Sequence, residues 1–256
     1  MSNAQLTAAR ARELGPPRIA SSLGRRAGGR SQLTWALLAV GLCLIGLALT
    51  WVLAALVPAT HLRDAVLLDH FIELGRPRID GLAKGLLALL DPLLYTVWAL
   101  LLVATALLRR RPRVALAVAL VAPAAPLAAE LLKPLLAHPH ASVGFQWVGP
   151  ASWPSGHATA AMTLVVCALL VAPRALRPLV AALGCLFAAA VGVALLILAW
   201  HMPSDVFGGY LLATLFGSLA ATALCLWDRL SAPDRRRRAR PGPTAPRSPH
   251  PQRGRG

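Results

Sequence analysis

The sequence predicts an all-α, polytopic membrane protein: a six-transmembrane-helix bundle with both termini in the cytoplasm. Three observations carry this. Hydrophobic residues make up 57% of the chain and charged residues only 14%, with a mean hydropathy of +0.61, a balance that soluble domains of this length do not show. Apolar runs long enough to cross a bilayer recur, separated by short turns rich in Arg and Pro. Of the 26 basic residues, all but Arg63, Arg76, Arg78, Lys84 and Lys133 fall in the two tails and in the 109–113 and 173–178 turns, on one side of an alternating topology.

Residues 1–31 are polar and Arg-rich and are expected to be a disordered basic cytoplasmic tail rather than a cleaved signal peptide. Residues 32–228 form the membrane domain. Its first span, Leu33 to Val57, carries no charge and is long enough for a hydrocarbon core roughly 30 Å thick at about 1.5 Å per residue. In the segment 59–85, Leu67, Leu68, Phe71, Ile72 and Leu74 recur near helical spacing among Arg63, Asp64, Asp69, Glu73 and Arg76. This predicts an interfacial amphipathic helix over about 62–75, then a turn at Gly75-Arg76-Pro77. Further spans are expected at 86–108 (with Asp91-Pro92 near its start), 114–136 (with Pro123 and Pro126 inside), 155–172, 179–200 and 206–227. The Arg- and Pro-rich residues 229–256 are a second disordered cytoplasmic tail.

Several function classes recede at once. Cys43, Cys167, Cys185 and Cys225 lie singly in apolar runs, with no paired spacing, and read as small buried hydrophobes rather than a disulfide framework or metal site. The net charge of +16 sits in tails and turns, where topology and anionic lipid explain it, so no nucleic-acid partner is inferred. A transporter would carry ionisable groups deep in several spans, and apart from Glu130 and Lys133 the span interiors have almost none.

The six-span topology brings Lys133, His138, His140, Ser155, Gly156, His157, His201 and Asp205 to one face, the extracytoplasmic one. Each has an ordinary alternative: Ser155 and Asp205 as helix caps, Lys133 snorkelling beside Glu130, the histidines as interfacial residues. Their convergence favours a site. Ser155 and Gly156 open a helix whose N–H groups and positive dipole end suit an anion, and Lys133 adds a full charge, so together they suit a phosphate. Asp205, four residues after His201, can hold one ring nitrogen and leave the other nucleophilic, and His157 can serve as general acid. This chemistry needs no metal and no cofactor.

Pro154-Ser155-Gly156-His157 followed by His201-Met202-Pro203-Ser204-Asp205 resembles the type 2 phosphatidic acid phosphatase superfamily, integral-membrane lipid phosphate phosphatases related in their core to soluble acid phosphatases and vanadium haloperoxidases. Its motifs are K-x6-R-P, P-S-G-H and S-R-x5-H-x3-D, and the resemblance covers roughly residues 86–228. It implies a six-helix bundle with an extracytoplasmic site. His201 would form a phosphohistidine, with Asp205 holding it and His157 protonating the leaving alkoxide. Lys133, Ser155 and Gly156 would bind the phosphoryl oxygens.

Both motif arginines are absent. His140-Ala141 stands where the family has Arg-Pro, and Ala194-Leu195 where it has Ser-Arg. Arginine grips phosphate bidentately and Leu195 cannot. His140 is the first candidate replacement, with His138 and then Arg76 or Arg78 behind it. The expected function is therefore hydrolysis of a lipid phosphomonoester or pyrophosphate (phosphatidic acid, phosphatidylglycerol phosphate or an isoprenoid pyrophosphate) at the outer face of the plasma membrane. The alternative is a weak or inactive lipid-phosphate-binding protein of the same fold.

Overall fold

A computed structural model describes residues 18–139 and 148–231, with side chains described from Ser31 onward. The described residues form helices α1 (Arg18–Leu56), α2 (Pro58–Ile72), α3 (Pro77–Ala88), α4 (Pro92–Leu108), α5 (Pro112–Leu135), α6 (Gly156–Val171), α7 (Arg177–Ile197) and α8 (Pro203–Leu230). Proline stands at the first position of α2, α3, α4, α5 and α8, where its missing N–H costs nothing and its fixed φ suits the helix.

The expected all-α membrane bundle is the architecture found. By length and composition, four described helices can cross a membrane, or five if α3 and α4 form one bent span; α6 is a shorter apolar helix. Large apolar side chains on the outside, among them Trp35, Leu42, Ile45, Leu93 and Leu186, are exposed on a scale that suits lipid and not water. The chain is a multi-pass membrane protein.

Several boundaries differ from expectation. Helix α1 starts at Arg18, inside the segment expected as a tail. The span expected over 86–108 is broken: α3 and α4 meet at 52° around Leu89–Asp91, where Pro92 cannot continue the preceding turn. The amphipathic helix expected over about 62–75 is α2 and the turn expected at Gly75-Arg76-Pro77 follows it, but the next helix, α3, begins at Pro77 and not at 86. Cys43 and Cys167 are buried as expected, but Cys185 is exposed on α7 among lipid-facing leucines Leu183 and Leu186.

Helix α6 is the centre of the bundle, packing against α4, α5, α7 and α8. Its 16 residues reach only about 24 Å. Ala158, Ala160 and Ala161 are small enough for neighbouring backbones to come close, and Thr159 and Thr163 return their hydroxyl hydrogens to the carbonyls one turn back, at 2.7 Å each. The glycines of α8 meet this core from the other side. A Cβ on Gly217 would lie 2.9 Å from Val166, so the Gly208/Gly209-to-Gly217 spacing packs α8 within the chain.

The proline-bearing helix α5 is repaired by its neighbour. Pro126 cannot donate to Ala122, and the Tyr95 hydroxyl of α4 donates to that carbonyl instead, at 2.6 Å. At one end of the bundle Arg111 donates to the carbonyls of Leu170 and Val171, closing the C-terminus of α6. Arg113 pairs with Asp228 at 3.0 Å and lies 5.0 Å from the Trp227 ring centre, near the C-terminus of α8. The N-termini of α6 and α8 therefore lie at the opposite end, away from the basic 109–113 turn.

Candidate active site

The two polar motifs are joined by their backbones. The Ser155 amide, just ahead of α6, donates to the carbonyl of Asp205 in the first turn of α8, at 3.0 Å. Gly209 makes this approach possible: a Cβ there would stand 2.6 Å from the Ser155 carbonyl oxygen and 3.0 Å from the Thr159 amide. Gly208 likewise seats the indole of Trp153, which a Cβ would meet at 2.5 Å.

Ser155 caps α6, its hydroxyl accepting the Ala158 N–H at 3.3 Å. With its own amide given to Asp205, the helix start presents the Gly156 and His157 amides, which have no partner within the helix. Lys133, at the end of α5, faces this point: its Nζ lies 3.7 Å from where a Gly156 Cβ would be. Its ammonium donates to Glu130 Oε1 at 2.7 Å. Thus Lys133, Ser155 and Gly156 do come together.

His201 is placed by the turn between α7 and α8. The Ala199 amide donates to Leu196 and the Trp200 amide to Leu195, both at 3.0 Å, with Ala199 at φ 53°. This is a Schellman termination in which a left-handed residue stops α7 and turns the chain toward His201. The buried His201 Nδ1 stands 3.4 Å from Asp205 Oδ2, an electrostatic contact without the alignment of a hydrogen bond. Asp205 has no solvent exposure, and Oδ2 also accepts the Met202 N–H at 2.9 Å. Its carboxylate thus both caps α8 and faces the histidine. His157 packs on Trp200, ring centres 5.7 Å apart, within electrostatic reach of His201, Asp91, Lys133 and Glu130.

The candidates for the missing arginines fare differently. Leu195 is fully buried in the core with Val206 and Met202 and offers no polar group. His140 lies outside the described residues. His138 is buried, its Nδ1 donating to the Leu136 carbonyl at 3.0 Å, with its ring 6.3 Å from that of His61. Arg76 donates to the carbonyls of Glu73 and Gly75 in its own turn.

Three participants were missed from sequence. Asp64 of α2 reaches the first turn of α8, its Oδ2 accepting the Ser204 hydroxyl at 2.6 Å and its Oδ1 the Ser204 amide at 3.2 Å. Burial pushes its carboxyl above the usual value, against the pull of those bonds, and the Asp205 charge adds to the rise. Glu130 lies over Gly156, and Asp91 nears His157 through the α3–α4 break. Only Glu130, an ionisable residue at membrane depth, carried a sequence signal. Among the described residues no three His, Cys, Asp or Glu side chains gather as a metal-ligand group.

The family model of the PAP2 superfamily matches residues 133–229, well under half of the chain, a stretch that holds Lys133, Ser155, Gly156, His157, His201 and Asp205 but not Asp64, Asp91 or Glu130. No curated protein matches. Among solved structures, the first transmembrane PAP2 type phosphatidylglycerolphosphate phosphatase from Bacillus subtilis matches with a TM-score of 0.57 at 20% identity, over 77% of this chain and 96% of that one. That likeness is one of fold.

Proposed function

We propose, from the premise that the chain belongs to the PAP2 superfamily through residues 133–229, that it is an integral-membrane lipid phosphate phosphatase working through a phosphohistidine on His201. The observation that carries this is the Ser155–Asp205 backbone bond. It ties the anion-binding start of α6 to the turn that bears His201 and Asp205, so nucleophile and phosphate subsite share one rigid junction.

In the first step His201 Nε2, the ring nitrogen not facing Asp205, attacks phosphorus. The N–P bond forms as the P–O bond to the leaving group breaks, the lipid alcohol of a monoester or the inner phosphate of a pyrophosphate, and His157 gives its proton to the leaving oxygen. Lys133, the amides at the start of α6, and His140 as the fourth phosphate ligand hold the phosphoryl oxygens. In the second step water attacks the phosphohistidine, His157 takes its proton, and inorganic phosphate leaves with His201 restored. Asp205 stabilises the charge that His201 gains. The basic 109–113 turn and the Arg113–Asp228 pair lie at the far end of the bundle, which supports an extracytoplasmic site in the plasma membrane by the charge rule.

The substrate is a terminal phosphate on a lipid: phosphatidic acid, phosphatidylglycerol phosphate or an isoprenoid pyrophosphate. Purified protein is expected to release phosphate from such lipids with EDTA present, and His201→Ala to abolish release and phosphoenzyme labelling. Equal release by His201→Ala would sink the mechanism. A non-catalytic lipid-phosphate binder is the second reading, favoured by the burial of Leu195 where the family has arginine; binding without release by the wild type would select it.

A further inference from the structure

The phosphate subsite already holds an anion of the protein's own. Glu130 Oε1 accepts the Lys133 ammonium at 2.7 Å and lies so close over Gly156 that a Cβ there would be 2.5 Å away. The carboxylate oxygen thus sits on the site's lysine and against Gly156 at the positive start of α6, beside the seat a phosphoryl oxygen would take. Packing does not hold it there, since the Glu130 side chain is 58% exposed while that of Lys133 is 21% exposed. Attraction to Lys133 and to the helix end keeps it in place, and its flexible stem leaves it free to be displaced.

We propose that Glu130 is a specificity-determining residue, an internal anion that an incoming phosphate must displace. This rests on the phosphatase reading above and deepens it by naming the residue that tells a terminal phosphate from a phosphodiester. A carboxylate carries one charge, and so does the phosphodiester of an ordinary membrane lipid, which gains little by exchanging with it. A terminal phosphate, as a monoester or at the end of a pyrophosphate, approaches two charges and three free oxygens and outcompetes the carboxylate. In a bilayer crowded with phosphodiester headgroups, Glu130 keeps Lys133 and the α6 start from being filled by non-substrate lipid. With both motif arginines absent, Lys133 is the strong cation left to the subsite among the described residues, so a single glutamate suffices as the filter.

The test compares wild type and Glu130→Gln as full-length protein in detergent micelles. Titration calorimetry with inorganic phosphate should show Glu130→Gln binding about tenfold tighter, the removal of one competing charge. Glu130→Asp, whose shorter stem pulls the carboxylate off Gly156, should fall between them and keeps the test open if the glutamine variant is poorly folded. In assays on phosphatidic acid, added phosphatidylglycerol, a phosphodiester, should inhibit Glu130→Gln and leave wild type unaffected. Equal or weaker phosphate binding by both variants, or no phosphate binding by any of the proteins, overturns the proposal. Phosphate binding by the wild type with no release from any lipid phosphate would instead overturn the phosphatase reading, while the comparison of affinities still decides the role of Glu130.

Discussion

Asp64 of α2 and Ser204 of α8 are 140 residues apart in sequence and 2.6 Å apart through Oδ2 and Oγ. The Ser204 amide, one of the unpaired donors at the start of α8, also reaches Asp64. The amphipathic helix therefore caps α8 from outside, one residue before Asp205 and three after His201. A helix read from sequence as a surface float is bolted to the turn that carries His201.

Asp64→Ala removes this cap and leaves the Ser204 amide and hydroxyl without their acceptor. Loss of an N-cap acceptor costs about 1–2 kcal/mol, and the apparent Tm in detergent should fall accordingly. Phosphate release should drop through kcat with little change in KM, because the His201 turn loosens while the Lys133–Gly156 subsite is untouched. Asp64→Asn keeps an acceptor for the amide and should retain most of the activity.

The same residue makes a pH prediction. Burial raises the Asp64 carboxyl above its ordinary value of 3.8, so the folded state prefers its protonated form. The sign follows: Asp64 contributes most to stability below 3.8, and that contribution is lost as pH rises through the raised folded value. Ser204, Asp205 and His61 face the group and set the size of the effect. Melting curves from about pH 3.5 upward should show wild type losing stability relative to Asp64→Asn as pH rises. A difference that does not change with pH would show that Asp64 ionises as freely in the folded protein as in the unfolded chain.

Gly156 and Gly209 should respond differently to alanine. At Gly209 the new methyl meets backbone, the Ser155 carbonyl at 2.6 Å and the Thr159 amide at 3.0 Å, neither of which can yield without moving α6 off α8. Gly209→Ala should cost about 1–3 kcal/mol and abolish activity. At Gly156 the nearest atom is the far end of the Glu130 side chain, which can turn away. Gly156→Ala should fold with nearly wild-type Tm and show its defect in KM, and a Tm loss as large as that of Gly209→Ala would refute the contrast.

Restoring the family arginine should fail. Leu195 is fully buried and is the residue whose carbonyl accepts the Trp200 amide at the end of α7, so Leu195→Arg buries an unpaired charge at a cost of at least about 3 kcal/mol. Four residues on, Ala199 holds a left-handed φ of 53°, and Ala199→Gly should raise stability by about 1 kcal/mol. Thermal unfolding of the two variants in one detergent checks both signs.

Much of this protein was legible in its sequence because its signals are local. A bilayer demands long apolar helices and confines charge to their ends, so the helices and the gathering of Lys133, Ser155, Gly156, His157, His201 and Asp205 at helix ends follow from composition and order along the chain. The pairing of His201 with Asp205 needs only the four-residue pitch of a helix start. What tertiary structure alone decided are relations between helices that no spacing encodes. Asp64 looks like any other charge on the polar face of an amphipathic helix until α2 docks on α8. Glu130 looks like the partner of a snorkelling lysine until α6 brings Gly156 beneath it. Leu195, one position among many in an apolar run, proves to be core because the α7 terminus turns it inward. Hydrophobicity specifies that helices form and span, whereas which polar atom meets which depends on close packing between them, where one methyl group at Gly209 would separate the two halves of the site.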